Sequence, residues 1–309
     1  MNQIKILGTG IYLPKKKIEN TYFNEKFSLD SSWIEKRTGA KQRFWVEEEN
    51  ASDMAIEATK DLLAKTEFDV QKIDTIIVAS TTNEKMMPGI AFEVQKALDI
   101  KECFCMDISA GCSGYINAID MIRSYIALGE IECGLVIGVE TLSKYLDKDD
   151  ISTSILLGDG AGATLIGKSK EEKIYAKNIQ SIGQEGDILT CEAGKKLYME
   201  GKKIYKFATS EVSQNIQELI IKARVRKEEI RYVIPHQSNI RIIENIAKRV
   251  GIDKDKVYIN INEVGNTFNA SIPIALHQML QDKLLKVGDK VILVGYGGGL
   301  NLGSILLEI

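Results

Sequence analysis

The stretch Lys72-Ile73-Asp74-Thr75-Ile76-Ile77-Val78 reads as the exit from a helix into a short apolar strand, and its pattern occurs twice in the chain. Met54 to Ser80 spells helix, connection, strand; Glu211 to Gln237 spells the same order at an offset of 157 residues, with Leu62 matched by Leu219, Lys65 by Lys222 and Ile73 by Ile230. At that same offset Leu135-Val136-Ile137-Gly138 falls on Ile292-Leu293-Val294-Gly295. Two separate elements keeping one register point to a duplicated unit rather than a chance likeness. The expected fold is therefore α/β, built from two similar halves (1–165 and 166–309) whose sheets face shared helices. Strand-to-helix loops from the two halves would then meet at one place.

Composition bounds what such a chain does. Its 309 residues are 44% hydrophobic and 27% charged with a net charge of −3, an ordinary globular balance with no global basic field for nucleic acid or an anionic membrane surface. No apolar run reaches membrane-spanning length, and Met1-Asn2-Gln3-Ile4-Lys5 lacks a signal-peptide core. Five scattered cysteines suit a reducing cytoplasm better than a disulfide framework. Cys103, Cys105, Cys133 and Cys191 lack converging His partners, so they read as structural rather than as metal ligands.

The loops that follow the repeated strands hold the reactive residue types. Asp107-Ile108-Ser109-Ala110-Gly111-Cys112-Ser113-Gly114-Tyr115 joins the run Cys103–Met106 to a helix carrying Ile116, Ile119, Ile122 and Ile126. Cys112 is thus expected at a helix start, where backbone N–H groups favour an anion and a thiol ionises more readily. A buried, inert Cys is the alternative for the residue taken alone. His236 follows Tyr232-Val233-Ile234 at an equivalent exit, whereas His277 lies inside a later helix and is expected on its surface. Asn266 comes after an expected strand, Val257–Ile261, in a Gly-bearing loop, and by itself reads equally as a turn residue. Gly297-Gly298-Gly299 ends another apolar strand, and its N–H groups are candidate oxyanion donors. Near the N-terminus, a helix over Ser31–Thr38, capped by Ser and stopped by Gly39, puts Trp33 and Arg37 four apart on one face. Gly8-Thr9-Gly10 lacks the third glycine and the helix of a dinucleotide fingerprint.

Taken together, Tyr12-Leu13-Pro14, Trp33-Ile34 to Arg37-Thr38-Gly39, Ile108 to Gly114, Gly158-Asp159-Gly160-Ala161-Gly162, Pro235-His236-Gln237, Gly265-Asn266-Thr267 and Gly297-Gly298-Gly299 resemble the β-ketoacyl-acyl-carrier-protein synthase III family across the whole chain. The resemblance implies a thiolase fold, with duplicated α/β halves in a five-layer αβαβα arrangement. It implies a transferase of fatty acid synthesis that uses no metal or cofactor, and coenzyme A or phosphopantetheine thioesters as substrates. By the same resemblance Cys112 is the nucleophile, His236 and Asn266 its partners, and the N–H groups of Cys112 and Gly298 the oxyanion hole. Trp33, Arg37, Phe207 and Asn239 would contact coenzyme A or pantetheine, and Met87 would close an acyl pocket across a homodimer. The partners implied are acyl-coenzyme A or another acyl thioester and an acidic acyl-carrier protein, for which Lys206, Arg241, Lys248 and Arg249 are docking candidates. A solvated helix face is the plainer account of those charges.

Residue types separate the relatives. Elongating ketosynthases use two His where this chain has Asn266, and thiolases need a second Cys where Tyr296-Gly297-Gly298-Gly299 has none. A specialised synthase of secondary metabolism remains the nearest alternative. Three departures leave the primer open: the family often has Trp where Leu302 stands, 183–203 is Lys- and Gly-rich, and a flexible Met87 stands in place of a rigid aromatic, which leaves chain length open. A fourth concerns the primer donor, since Ile151, beside Asp149 and Asp150, replaces an arginine that the family sets against the nucleotide.

Overall fold

Both copies of the repeated strand lack apolar alternation because both of their faces are covered. Thr75 to Ala79 are all buried, and Val233 to Pro235 are buried in the second copy. The computed structural model describes residues 4–192 and 194–309. Its first half runs β1 (Ile4–Tyr12), β2 (Lys16–Glu19), α1 (Asn20–Phe27), α2 (Ser31–Thr38), β3 (Gln42–Trp45), α3 (Ala51–Thr66), β4 (Thr75–Ala79), α4 (Ile90–Ala97), β5 (Phe104–Ile108), α5 (Gly114–Leu128), β6 (Cys133–Glu140), α6 (Ile151–Ser154) and β7 (Gly160–Lys168). The second runs β8 (Tyr175–Ser181), β9 (Leu189–Thr190), β10 (Tyr198–Met199), α7 (Gly201–Ala223), β11 (Ile230–Pro235), α8 (Ile240–Val250), α9 (Ile261–Val264), α10 (Ser271–Gln281), β12 (Lys290–Gly297) and β13 (Asn301–Glu308).

Nine strands form a five-stranded sheet in the order β1-β7-β6-β4-β5 and a four-stranded sheet in the order β11-β12-β13-β8, while β2 pairs with β3 and β9 with β10. The 157-residue offset survives in the pairing. Thr75 opposite Gly134 becomes Tyr232 opposite Val291, and the next three parallel pairs, down to Val78 with Ile137 and Pro235 with Val294, keep step. Helices α5 and α10 lie between the sheets, in one apolar cluster that joins Ile77, Val136 and Ile166 to Ile234, Leu293 and Ile305. Helices α3 and α4 cover the outer face of the first sheet, and α7 and α8 that of the second. The order is the five-layer αβαβα arrangement of the thiolase fold.

Three local expectations are corrected. Val257–Ile261 forms no strand: only Val233 bridges Val257, and Tyr258 N–H donates to the Val233 carbonyl, because the chain turns at Asn260 into α9. Helix α2 is capped by Asp30 rather than by Ser, its carboxylate accepting from the N–H groups of Ser32 and Trp33 at 2.7 and 3.2 Å; Gly39, at φ +89°, does stop it. His277 is buried, not on the surface. Lys65 Nζ lies 3.2 Å from its Nε2 and Thr9 Oγ1 lies 3.0 Å from its Nδ1. An ammonium only donates, so Nε2 accepts and the ring proton sits on Nδ1.

Candidate active site

The site is assembled from loops at the ends of β5, β11 and β12, together with the loop before α10. Three glycines let these loops touch. Gly111 sits at φ +52°, and a Cβ there would come 2.2 Å from the Gly298 carbonyl oxygen. A Cβ on Gly297 would stand 2.6 Å from Cys112 Sγ, and one on Gly295 would stand 3.0 Å from the Cys112 carbonyl oxygen. The nucleophile loop and the glycine turn between β12 and β13 are therefore in backbone contact, which any side chain would prevent.

Cys112, His236, Asn266, Tyr296 and Gly297 line one cavity of about 1100 Å³. Cys112 is buried, two residues ahead of α5, with Ser113 as the helix N-cap. The expectation of an easily ionised thiol is corrected. Burial raises its pKa well above the usual thiol range, the Glu140 carboxyl adds to that, and the N–H groups of Gly298 and of Cys112 itself pull only partly back. Desolvation outweighs the helix terminus because the sulfur is shut away from water. Those two N–H groups, directed at the sulfur, are also the pair expected to bind an oxyanion.

His236 N–H donates to the Val294 carbonyl at 2.7 Å, which continues the β11–β12 ladder one residue past the strand. The Tyr296 ring stands edge-on to the imidazole at 5.4 Å, and Tyr296 Oη lies 2.7 Å from Ser238 Oγ. Burial alone pushes the His236 pKa down to about 3, so the ring is neutral at working pH. Nδ1 is buried and has no hydrogen-bond partner among the described residues. The neighbouring Gln237 pins the loop: its N–H donates to Ser271 Oγ, its Nε2 to the Pro235 and Tyr258 carbonyls, and its Oε1 accepts from the N–H groups of Asn260 and Ile261.

Asn266 is clamped on both sides, its N–H donating to the Leu156 carbonyl and its carbonyl accepting from the Gly158 N–H, each at 2.9 Å. Its Oδ1 accepts from the Phe268 N–H at 3.1 Å. That bond fixes the amide orientation, so the NH₂ end is the one available to a ligand; its contact with the Ser238 carbonyl, at 3.5 Å, is at the limit of a hydrogen bond. Behind the loop, Asn269 Nδ2 donates to Glu140 at 2.7 Å, and Asn269 Oδ1 accepts from the Tyr115 N–H at 3.3 Å in the first turn of α5. Glu140 is fully buried and also accepts from Thr81 and Thr82; burial lifts its pKa to about 7 against the pull of those donors.

At the cavity mouth the Arg37 guanidinium lies over the Trp33 ring at 5.1 Å, and both residues line the opening with Phe207, Asn239, Arg241 and Ile151. Asn239 already has both ends of its amide engaged, Nδ2 donating to the Arg37 carbonyl at 3.0 Å and Oδ1 accepting from the Arg241 N–H as the cap of α8. Asp150 caps α6, while Asp149 pairs with Lys26 at 2.9 Å. Lys206, Arg241, Lys248 and Arg249 are exposed, and Glu244 between them is paired with Lys254. Met86 and Met87 do not line this chain's cavity and are 99% and 81% exposed. Sequence reasoning missed Phe268, Asn269 and Glu140. A charge ending the apolar run Leu135–Val139 was the one signal, pointing to Glu140. Among the described residues no group of three or more His, Cys, Asp or Glu is placed to hold a metal ion, and no helix is long and apolar enough to cross a membrane.

The model of the 3-oxoacyl-[acyl-carrier-protein] synthase III family matches residues 106–183, and the model of that family's C-terminal region matches 220–309. The chain is 39% identical to a β-ketoacyl-[acyl-carrier-protein] synthase III of Clostridium perfringens over 100% of both proteins. It is also 39% identical to the Aquifex aeolicus protein of that name, over 98% of this chain and 99% of the other. The crystal structure of 3-oxoacyl-[acyl-carrier-protein] synthase III from Aquifex aeolicus superposes with a TM-score of 0.96, covering 99% of this chain and 100% of that one.

Proposed function

The chain belongs to the 3-oxoacyl-[acyl-carrier-protein] synthase III family, and from its site we propose how it performs that family's reaction, the decarboxylative condensation of a primer acyl thioester with malonyl-acyl-carrier protein that initiates fatty acid synthesis. The observation that carries the assignment of roles is the single cavity lined by Cys112, His236 and Asn266, with two backbone N–H groups at the sulfur.

Cys112 stays a thiol until a primer carbonyl arrives. Its sulfur then attacks, the charge moves to the carbonyl oxygen under the N–H groups of Cys112 and Gly298, and the coenzyme A thiolate departs with the thiol proton. The acyl group is left on Cys112. A malonyl thioester binds next, its carbonyl oxygen accepting from the neutral His236 ring and the Asn266 NH₂ group. Loss of CO₂ leaves an enolate on that oxygen. Two uncharged donors stabilise it without forming an ion pair that would occupy the empty site. The enolate carbon attacks the acyl carbonyl, a carbon–carbon bond forms, and the Cys112 thiolate leaves and regains a proton. Trp33, Arg37, Phe207 and Asn239 would guide the pantetheine arm, and the exposed Lys206, Arg241, Lys248 and Arg249 would meet the acidic carrier protein. Met87, exposed on the single chain, fits a homodimer in which it closes the partner's acyl pocket. A cytoplasmic setting fits these substrates.

The half-reactions test the roles separately. Cys112→Ala is expected to abolish transfer of labelled primer to the protein, and label retained by the variant would remove Cys112 from its role. His236→Ala and Asn266→Ala are each expected to slow malonyl decarboxylation by roughly 3–4 kcal/mol, as oxyanion donors do, while slowing acylation of Cys112 much less. Equal losses in the two half-reactions would refute this division of labour.

A further inference from the structure

Phe268 stands out because its backbone and its side chain are both unusual for their place. It sits at φ +44°, a left-handed conformation that a bulky residue rarely adopts. The surroundings hold it there: its N–H donates to Asn266 Oδ1, the Ala270 N–H donates to the Thr267 carbonyl at 3.0 Å, and Asn269 ties the next position to Glu140 and to α5. A strained residue fixed from several directions marks a site where the conformation serves a purpose. The ring is aimed inward. It lies edge-on to His236 at 6.5 Å and packs in the apolar cluster that contains Cys112, Leu142, Leu146, Ile155, Leu156 and Leu157. Of that cluster, only Cys112, Ile155, Leu156 and Phe268 also line the cavity, so Phe268 is the one aromatic side chain that the cluster sets against it, in addition to Tyr296 from the glycine turn.

We propose that Phe268 sets the size of the acyl group that Cys112 accepts, holding the site to short primers by filling the space next to the sulfur with a ring that cannot move aside. The proposal rests on the reading of Cys112 as the acylated residue. The ring is held because it is buried in the apolar cluster and edge-on to His236, on a backbone that the N–H bond to Asn266 fixes in place. A flexible side chain at this position would leave the wall adjustable; a ring on a clamped turn does not.

The test loads the intact protein with acetyl and hexanoyl pantetheine thioesters, each alone, and follows Cys112 acylation by intact-protein mass spectrometry in wild type, Phe268→Gly and Phe268→Leu. Gly keeps the N–H to Asn266 and suits the left-handed backbone. The hexanoyl-to-acetyl ratio of loading rates is expected to rise by about tenfold or more in Phe268→Gly, the scale on which apolar pockets discriminate by methylene count, and by less in Phe268→Leu. Loading of wild type with an unchanged ratio in the variants overturns the proposal while leaving Cys112 its role. A wild type that loads neither thioester overturns both. Should Phe268→Gly fail to fold, Phe268→Leu decides: a raised ratio supports the proposal and an unchanged one overturns it.

Discussion

Replacing Gly297 by Ala is the most direct probe of the contact between the nucleophile loop and the glycine turn. The added methyl carbon would lie 2.6 Å from Cys112 Sγ, 2.9 Å from its Cβ and 3.1 Å from its N. Ordinary contact begins near 3.5 Å, so the sulfur must retreat by roughly 0.9 Å. Little room exists for that. Gly111 already meets the Gly298 carbonyl, and Gly295 meets Ser113 and the Cys112 carbonyl, so the two loops separate only together. A displacement on the order of 1 Å at a reacting atom costs about a hundredfold, and a misaimed oxyanion donor costs about 10²–10³. Both effects stem from one movement, so they are not multiplied, and acylation of Cys112 is expected to slow by about 10²–10³. Time-resolved mass spectrometry of the acyl-enzyme with a saturating short acyl thioester measures it, with a urea midpoint to establish that the variant is folded. A folded Gly297→Ala protein that acylates within about tenfold of wild type would show that the contact does not position the sulfur.

Three further outcomes follow from the mouth and from the histidines. Ile151→Arg is expected to raise the preference for acyl-coenzyme A over acyl-pantetheine by about tenfold or more, because a guanidinium there would meet the nucleotide that Ile151 cannot; a wild type already preferring the full coenzyme a hundredfold would sink the idea. Arg241→Glu is expected to raise the apparent KM for malonyl-acyl-carrier protein and flatten its salt dependence, and an unchanged KM at low salt removes this helix face from docking. Nitrogen-resolved NMR can follow both imidazoles, since the chain has only His236 and His277. Burial lowers both pKa values, that of His236 to about 3, so the folded protein binds fewer protons than the unfolded chain below pH 6.5. Stability is then complete above that pH and falls as acid is added, with His236 alone accounting for roughly 2 kcal/mol by pH 5. A His236 ring that protonates near pH 6.5 would contradict the buried environment described.

The fold was legible because a duplication leaves two independent signals, period and offset, that agree only if the register is shared, as the Thr75–Gly134 and Tyr232–Val291 pairs show. Cys112, His236 and Asn266 were visible as reactive types at loop positions, and one cavity gathers them. Sequence could not supply the balance of forces at the sulfur. A helix start is readable from Ser113-Gly114, but the desolvation that overrides it comes from residues scattered between Ile18 and Phe268. His277 was misjudged for the same reason, since its partners Thr9 and Lys65 lie more than 200 residues away. Val257–Ile261 had strand composition, yet only one bridge formed, because pairing depends on a neighbour that the local pattern does not encode.

The cluster holding α5 and α10 between the sheets bears on how the chain can be divided. Each sheet completes its inner face with side chains that also serve the other: Ile77, Val136 and Ile166 share neighbours with Ile234, Leu293 and Ile305. The two repeats are thus copies in sequence but not independent folding units. A fragment ending after β7 would carry α5 with one side uncovered, and one beginning at β8 would carry α10 in the same state. Either piece alone presents a broad apolar face to water and would be driven toward aggregation, or toward recombination with its complement. A chain cut back to either repeat is therefore expected to lose the cluster that both repeats share.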